Sequence, residues 1–132
     1  MRVVIDTNVL LAGMATRGLC EGVLSICFES HTVILLEHIL AEVREHYLGK
    51  FKANVEQADH AVATFRLGAE LVEPAEVPSN DFDDVDDLPV LGTAVAGEAD
   101  CLITGDRKLL ELGQYMGVAI LSPRAFYGRL RG

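Results

Sequence analysis

Short, almost wholly apolar runs recur along the chain, and helical spacing returns after each of them. Val3, Val4 and Ile5 form a β-branched run ending at Asp6, which reads as a buried strand. Helices are expected from Asn8 to Ala15 and from about Leu19 to Phe28, where Leu19, Val23, Ile26 and Cys27 recur. Thr32 to Leu36 is a second strand, and Ile39, Leu40, Val43 and Tyr47 then share one side of a helix from about Glu37 to Leu48, with Gly49 as its stop. An amphipathic helix from Val55 to Leu67 precedes a brief strand at Glu70 to Val72. Asp86 to Ala96 reads as helix, with Pro89 tolerated in its first turn. Cys101 to Thr104 is a strand, Gly105-Asp106 opens a short helix through Leu112, Val118 to Leu121 is the last strand, and Ser122-Pro123 caps a final helix through Leu130. Strands this short and this apolar, alternating with helices, predict a parallel sheet covered on both faces.

The 132 residues fit one compact domain, 1–132, and no repeat, low-complexity tract or linker divides them. The stretch from Pro74 to Asp84 holds two prolines and several small or acidic residues. It is a loop about as long as ordered connections become, which suggests that it gates a functional pocket. No apolar run approaches the roughly 20 residues that cross a bilayer, and Asp6 and Asn8 interrupt any signal-peptide core, so a cytoplasmic protein is expected. Cys20, Cys27 and Cys101 are odd in number and lack CxxC spacing, so they read as buried thiols rather than disulfides or zinc ligands. The net charge of −9 argues against a broad basic surface for nucleic acid. It does not exclude a nucleic-acid enzyme whose acids converge on cations.

Where the acids fall therefore decides the chemistry. Ligands of open α/β sheets bind at the carboxyl ends of the strands. Asp6 ends VVI and Asp106 follows LITG, while Asp83, Asp84, Asp86 and Asp87 stand where a helix starts, and Glu42 lies about two turns into another. Taken singly, each has an ordinary explanation: acids at helix starts cap free N–H groups, and Glu42 would sit on a solvated face. Together, acids gathered at one sheet edge repel unless a cation joins them, and Arg107 and Lys108 are the nearby bases in sequence. Oxygen ligands suit Mg²⁺ or Mn²⁺ rather than zinc, and carboxylate-held ions assist hydrolysis of phosphoesters. The histidines His31, His38, His46 and His60 are scattered, and His38 with Glu42 reads as a surface pair. GxSxG, GxGxxG and GxxxxGK[ST] are all absent.

These residues resemble a known family. VVIDTNVLLAG resembles the opening of PIN domains, ILAEVREHYL the helix bearing their second acid, and DVDDLPVLGTAVAGEADCLITGD the third and fourth acid segments. The match spans nearly the whole chain and looks nearest to bacterial or archaeal PIN proteins of toxin–antitoxin pairs. It implies a Rossmann-like three-layer α/β/α sandwich and a Mg²⁺- or Mn²⁺-dependent endoribonuclease, often a homodimer, with an antitoxin partner where the toxin role holds. By that resemblance Asp6, Glu42, Asp87 and Asp106 would hold metal and carry catalysis, with Asn8 and Thr104 supporting them by hydrogen bonds. Two departures stand out. Glu37 replaces a common Ser and adds charge near the pocket, and Leu88-Pro89 follows Asp87 where polar residues are usual.

Other readings fit less well. A haloacid-dehalogenase-type phosphatase needs a second Asp where Asn8 stands, and a response-receiver domain wants an acidic pair near the first strand. A PIN-like binding or scaffold module without catalysis would have no need of four acids.

Overall fold

The computed structural model describes residues 1–78 and 87–131. The elements run β1 (Arg2–Ile5), α1 (Thr7–Ala15), α2 (Leu19–Ser30), β2 (Thr32–Leu35), α3 (Glu37–Gly49), α4 (Val55–Gly68), β3 (Ala69–Leu71), α5 (Leu88–Ala96), β4 (Cys101–Ile103), α6 (Arg107–Leu112), β5 (Gln114–Tyr115), β6 (Val118–Leu121) and α7 (Pro123–Arg131). They build a six-stranded sheet in the order β3-β2-β1-β4-β6-β5, parallel except for β5 against β6. The expected parallel α/β architecture is the one that forms.

The central strands owe their place to having no polar face. Val3, Val4, Ile5, Ile34, Leu35, Leu102 and Ile103 are wholly buried, so helices must cover both sides of the sheet. The order of strands says which helices lie where. From β1 through β2 to β3 the chain moves one way, and right-handed crossovers set α1 to α4 on one face. From β3 to β4 and on to β6 it moves back, which sends α5 and α6 to the other. The last helix, α7, returns to the first face and packs on α2. Phe28 of α2 stacks on Phe65 of α4 with ring centroids 5.6 Å apart, and His31 meets the buried Phe126 of α7 edge to face at 6.1 Å.

Observed and expected elements differ at their ends by a residue or two, which is normal fraying. One strand escaped the sequence reading. Gln114–Tyr115 turns back on β6 through Met116 and Gly117, whose φ angles of 48° and 85° give the two-residue loop that suits the twist of a hairpin. Asn-Gly would have signalled such a turn, whereas Met-Gly does not. The acids Asp83, Asp84 and Asp86, and the later part of the proposed gating loop, lie outside the described residues. Among the described residues no single helix is long and apolar enough to cross a membrane.

The cysteines fit the core reading. All three are free, Cys27 and Cys101 are buried, and Cys20 is half-buried. Burial pushes the thiols of Cys27 and Cys101 up to about 12 and about 11, so they pack as neutral groups.

Gly92 does more than punctuate α5. Its carbonyl accepts a hydrogen bond from Ala75 N at 2.9 Å, which draws the chain after β3 onto the helix. A Cβ at this position would lie 2.2 Å from the Ala75 carbonyl oxygen, and backbone cannot swing aside as a side chain can. Gly92→Ala should therefore destabilise the fold by about 1–3 kcal/mol despite its better helix propensity. The midpoint of urea unfolding measures this, and an unchanged midpoint would show that the Pro74–Val77 segment yields freely.

Candidate active site

The sheet's carboxyl edge is built by the ends of β1 and β4. Asp6 follows β1 directly, and its backbone N–H donates to the carbonyl of Ile103 at 2.9 Å, which closes the β1–β4 ladder. Its backbone is extended (φ −70°, ψ 154°) and starts α1, so the carboxylate turns back to cap the helix, with Oδ1 accepting from Thr7 N at 2.8 Å. Only 7 % of Asp6 is exposed. A carboxylate in such a place must be satisfied, and Thr104, itself fully buried, donates its hydroxyl to Oδ2 at 2.7 Å.

Thr104 serves two acids at once. Its Oγ1 also accepts from the N–H of Asp106 at 3.0 Å, which fixes the turn between β4 and α6. Asp106 then caps α6, with Oδ1 accepting from Leu109 N at 3.1 Å. On the other side, Thr7 donates its hydroxyl to Glu42 Oε1 at 3.0 Å. A hydrogen-bonded line thus runs from Asp106 through Thr104, Asp6 and Thr7 to Glu42. It joins β4, β1 and α3.

Thr7 is the member that sequence reasoning missed. Within VVIDTNVLLAG it carries no signal of its own, and its link to Glu42 spans 35 positions, beyond any local pattern. Asn8 is exposed in the first turn of α1 and stands outside this line. Asp87 stands at the residue before α5, which starts at the same edge on the opposite face of the sheet, and one of its carboxylate oxygens is buried. Pro89 takes its place in the first turn of that helix and shares a cleft with Leu36, Glu37 and His38 at the start of α3. Glu37 is ion-paired with Arg66, whose guanidinium holds it below the usual carboxylate range, so its extra charge is met within the chain. His38 Nε2 lies 3.6 Å from Glu42 Oε1, with 55 % and 36 % of the two side chains exposed, which is the surface pair expected from their spacing.

Electrostatically the site is under tension. Burial is the main cause that lifts the Asp6 carboxyl above its ordinary range, and the charges of Glu42 and Asp106 add to it. The hydrogen bonds from Thr104 and Thr7 oppose the rise without cancelling it. Among the described residues, no three His, Cys, Asp or Glu side chains converge closely enough to hold a metal ion as they stand. Asp6, Glu42 and Asp106 are thus close enough to repel but not to ligate together. Their donors are all carboxylate oxygens, and a hard divalent cation both matches that set and relieves the repulsion.

The sequence model of the PIN-domain family matches residues 2–108. No curated protein matches the chain. Solved structures do. A chain of VapBC-1 from nontypeable Haemophilus influenzae aligns with a TM-score of 0.69 at 17% identity, covering 94% of this chain and 99% of that one. A chain of VapBC2 from Rickettsia felis, solved bound to a DNA fragment from their promoter, aligns with a TM-score of 0.62 at 16% identity, covering 91% and 97%. Identities so low speak for a shared fold, whereas the family match over most of the sequence speaks for descent. The chain belongs to the PIN-domain family.

Proposed function

We propose that this PIN domain, residues 1–132, is a divalent-metal-dependent endoribonuclease and the toxin of a toxin–antitoxin pair, acting in the cytoplasm. The observation that carries the reading is Asp6, a carboxylate buried at the end of a central strand and tied through Thr104 and Thr7 to Asp106 and Glu42. A fold gains no stability from gathering like charges there, so a ligand that needs them is the natural reason for the arrangement. Family membership and the likeness to chains of two VapBC structures support the same reading. An exposed Leu67 beside a groove lined by Leu24, Phe28 and Phe65 supports a protein partner, either the antitoxin or a second copy in a homodimer.

Asp6, Glu42, Asp87 and Asp106 are the residues that would hold Mg²⁺ or Mn²⁺. When bound, such an ion supplies Lewis acidity toward a phosphodiester and makes water a better nucleophile. The rest falls to the chain. Thr104 and Thr7 each hold one oxygen of Asp6, so the carboxylate keeps one orientation and retains lone pairs toward the edge. Thr7 draws Glu42 toward that edge, and α6 fixes Asp106 by its own backbone. Asp87, at the start of α5, would join them from the other face of the sheet. A second reading, a binding module without catalysis, rests on the acids not converging among the described residues.

Cleavage of a mixed single-stranded RNA separates the two. Cutting should require Mn²⁺, stop with EDTA, and fall by at least about 100-fold in Asp87→Asn, more than the roughly 10–100-fold that a ligand's supporting partner contributes. Absence of cutting, with Mn²⁺ binding still seen by calorimetry, would favour the binding module. Thr104→Val keeps the shape and removes the hydroxyl, so it should lose about 10–100-fold in cleavage rate while staying folded.

The raised Asp6 carboxyl gives a linked prediction. In metal-free protein the folded state holds the Asp6 proton more tightly than the unfolded state does. Stability therefore falls as pH rises from the ordinary carboxylate range through the raised value. Thermal unfolding in EDTA should find Asp6→Asn as stable as the parent or more so at neutral pH, with the gap closing in acid. Added Mn²⁺ should stabilise the parent and leave Asp6→Asn unmoved. A variant much less stable at every pH would mean that Asp6 serves as structure.

A further inference from the structure

A chain of net charge −9 that cuts RNA must receive a polyanion somewhere, and its eleven Lys and Arg are not spread evenly. Arg2, Arg44 and Arg66 are engaged with Glu70, Asp59 and Glu37. Lys52 lies with Met14, Ala15 and Tyr47 where α1 and α3 end, away from the acids, and Lys50 and Arg17 stand at the same helix ends. Of the other five, Arg129 and Arg131 lie in the last part of the final helix, and three stand close to the carboxyl edge. Arg107 and Lys108 are the first two residues of α6, directly after Asp106. Arg124 is in the first turn of α7, which starts where β6 ends.

The sheet brings these two segments side by side. β4 and β6 pair with Ile103 opposite Leu121, and Thr104 N donates to the carbonyl of Leu121 at 2.9 Å. Ser122 follows at once and caps α7, its Oγ accepting from Ala125 N at 3.1 Å. Neighbouring strands lie about 4.8 Å apart, so the chain segment carrying Arg124 leaves the sheet one strand over from that carrying Asp106, Arg107 and Lys108. All three cations are exposed. Glu111 lies 3.9 Å from Arg107, but the two side chains are 71 % and 91 % exposed, a pair too well solvated to hold the guanidinium. Across the acids, on the β2 side, Arg66 is taken up by Glu37. The cationic bank of the pocket is therefore the one at the ends of β4 and β6.

An aromatic ring adds to the cationic bank. Tyr127 is 39 % exposed and stands three residues after Arg124, hence on the same side of α7. Guanidinium and ammonium groups beside an exposed ring suit a single strand, whose phosphates meet the cations and whose unpaired base can stack. We infer that the end of β4 and β6 is the substrate track, with Arg107, Lys108 and Arg124 contacting successive phosphates of single-stranded RNA and Tyr127 stacking on a base. The track rests on the nuclease reading and assigns the residues that hold its strand. These residues position the strand, and the acids act on it.

Anisotropy of a fluorescein-labelled single-stranded RNA in Ca²⁺, with the duplex of the same sequence beside it, reads the track without cleavage. Replacing the three cations together (Arg107→Gln, Lys108→Gln, Arg124→Gln) should weaken single-strand binding at least about tenfold and flatten the logarithmic salt dependence by about 2, at roughly 0.7 per phosphate contact. Tyr127→Ala should weaken it about fivefold or more and leave the salt slope unchanged. The control Arg17→Gln, Lys50→Gln, Lys52→Gln carries the same change of charge at the far ends and should bind as the parent does. In Mn²⁺ the triple loss should appear in KM with kcat kept. Equal weakening in the control, or a duplex bound as tightly as the single strand, overturns the track. RNA cut with an unchanged KM in the triple variant removes the track and leaves the nuclease, whereas RNA bound through these residues and never cut does the reverse. No binding of RNA removes both.

Discussion

The hydroxyl of Thr104 donates to one buried acid and accepts from the backbone of another, and much of the carboxyl edge follows from that double use. Asp6 is nearly shut off from water, so its charge needs a donor placed before any ligand arrives. Thr104 provides one, and its second bond sets where the turn into α6 begins. The backbone ladder sets the spacing of β1 and β4, and the Thr104 hydroxyl ties the Asp6 carboxylate to the turn that carries Asp106. A hydroxyl is the smallest group able to play both parts, and the absence of solvent around it leaves no water to substitute.

Much of this was legible in the chain. VVI followed by Asp, and LIT followed by Gly-Asp, show strand-end acids because a short β-branched run has nowhere to go but a sheet interior. Helical spacing alone put Glu42 on a face and the family resemblance singled it out, but neither reveals Thr7 as the group that draws it inward. Contacts between distant segments depend on how α1 and α3 cross, which local periodicity does not encode. The pair between Arg66 and Glu37 is hidden for the same reason. So is Gly92, which looks like a helix-weakening residue until the backbone of Ala75 is seen against it.

Charge is organised by side rather than by total. The formal −9 includes carboxylates that are matched by nearby cations and others gathered at the carboxyl edge, where they repel one another. Net charge describes how such a molecule behaves at a distance beyond a Debye length, about 8 Å in physiological salt. Within that distance a phosphate meets individual groups. An acidic protein and a polyanionic substrate are therefore compatible, provided that approach is confined to one direction.

The two ends of the sheet carry a further consequence. At one margin β5 is two residues long and closes on β6 through a tight turn, and at the other β3 is three residues long. On β3, Glu70 is held by Arg2 from β1 across the sheet's opposite rim. Strands this short expose few unpaired peptide groups, and a charge on the outermost one discourages a neighbour from adding on. Two copies of the chain are thus steered away from joining their sheets into one continuous ribbon. Self-association, where it happens, is left to helix faces, which can be covered and uncovered without unzipping a strand.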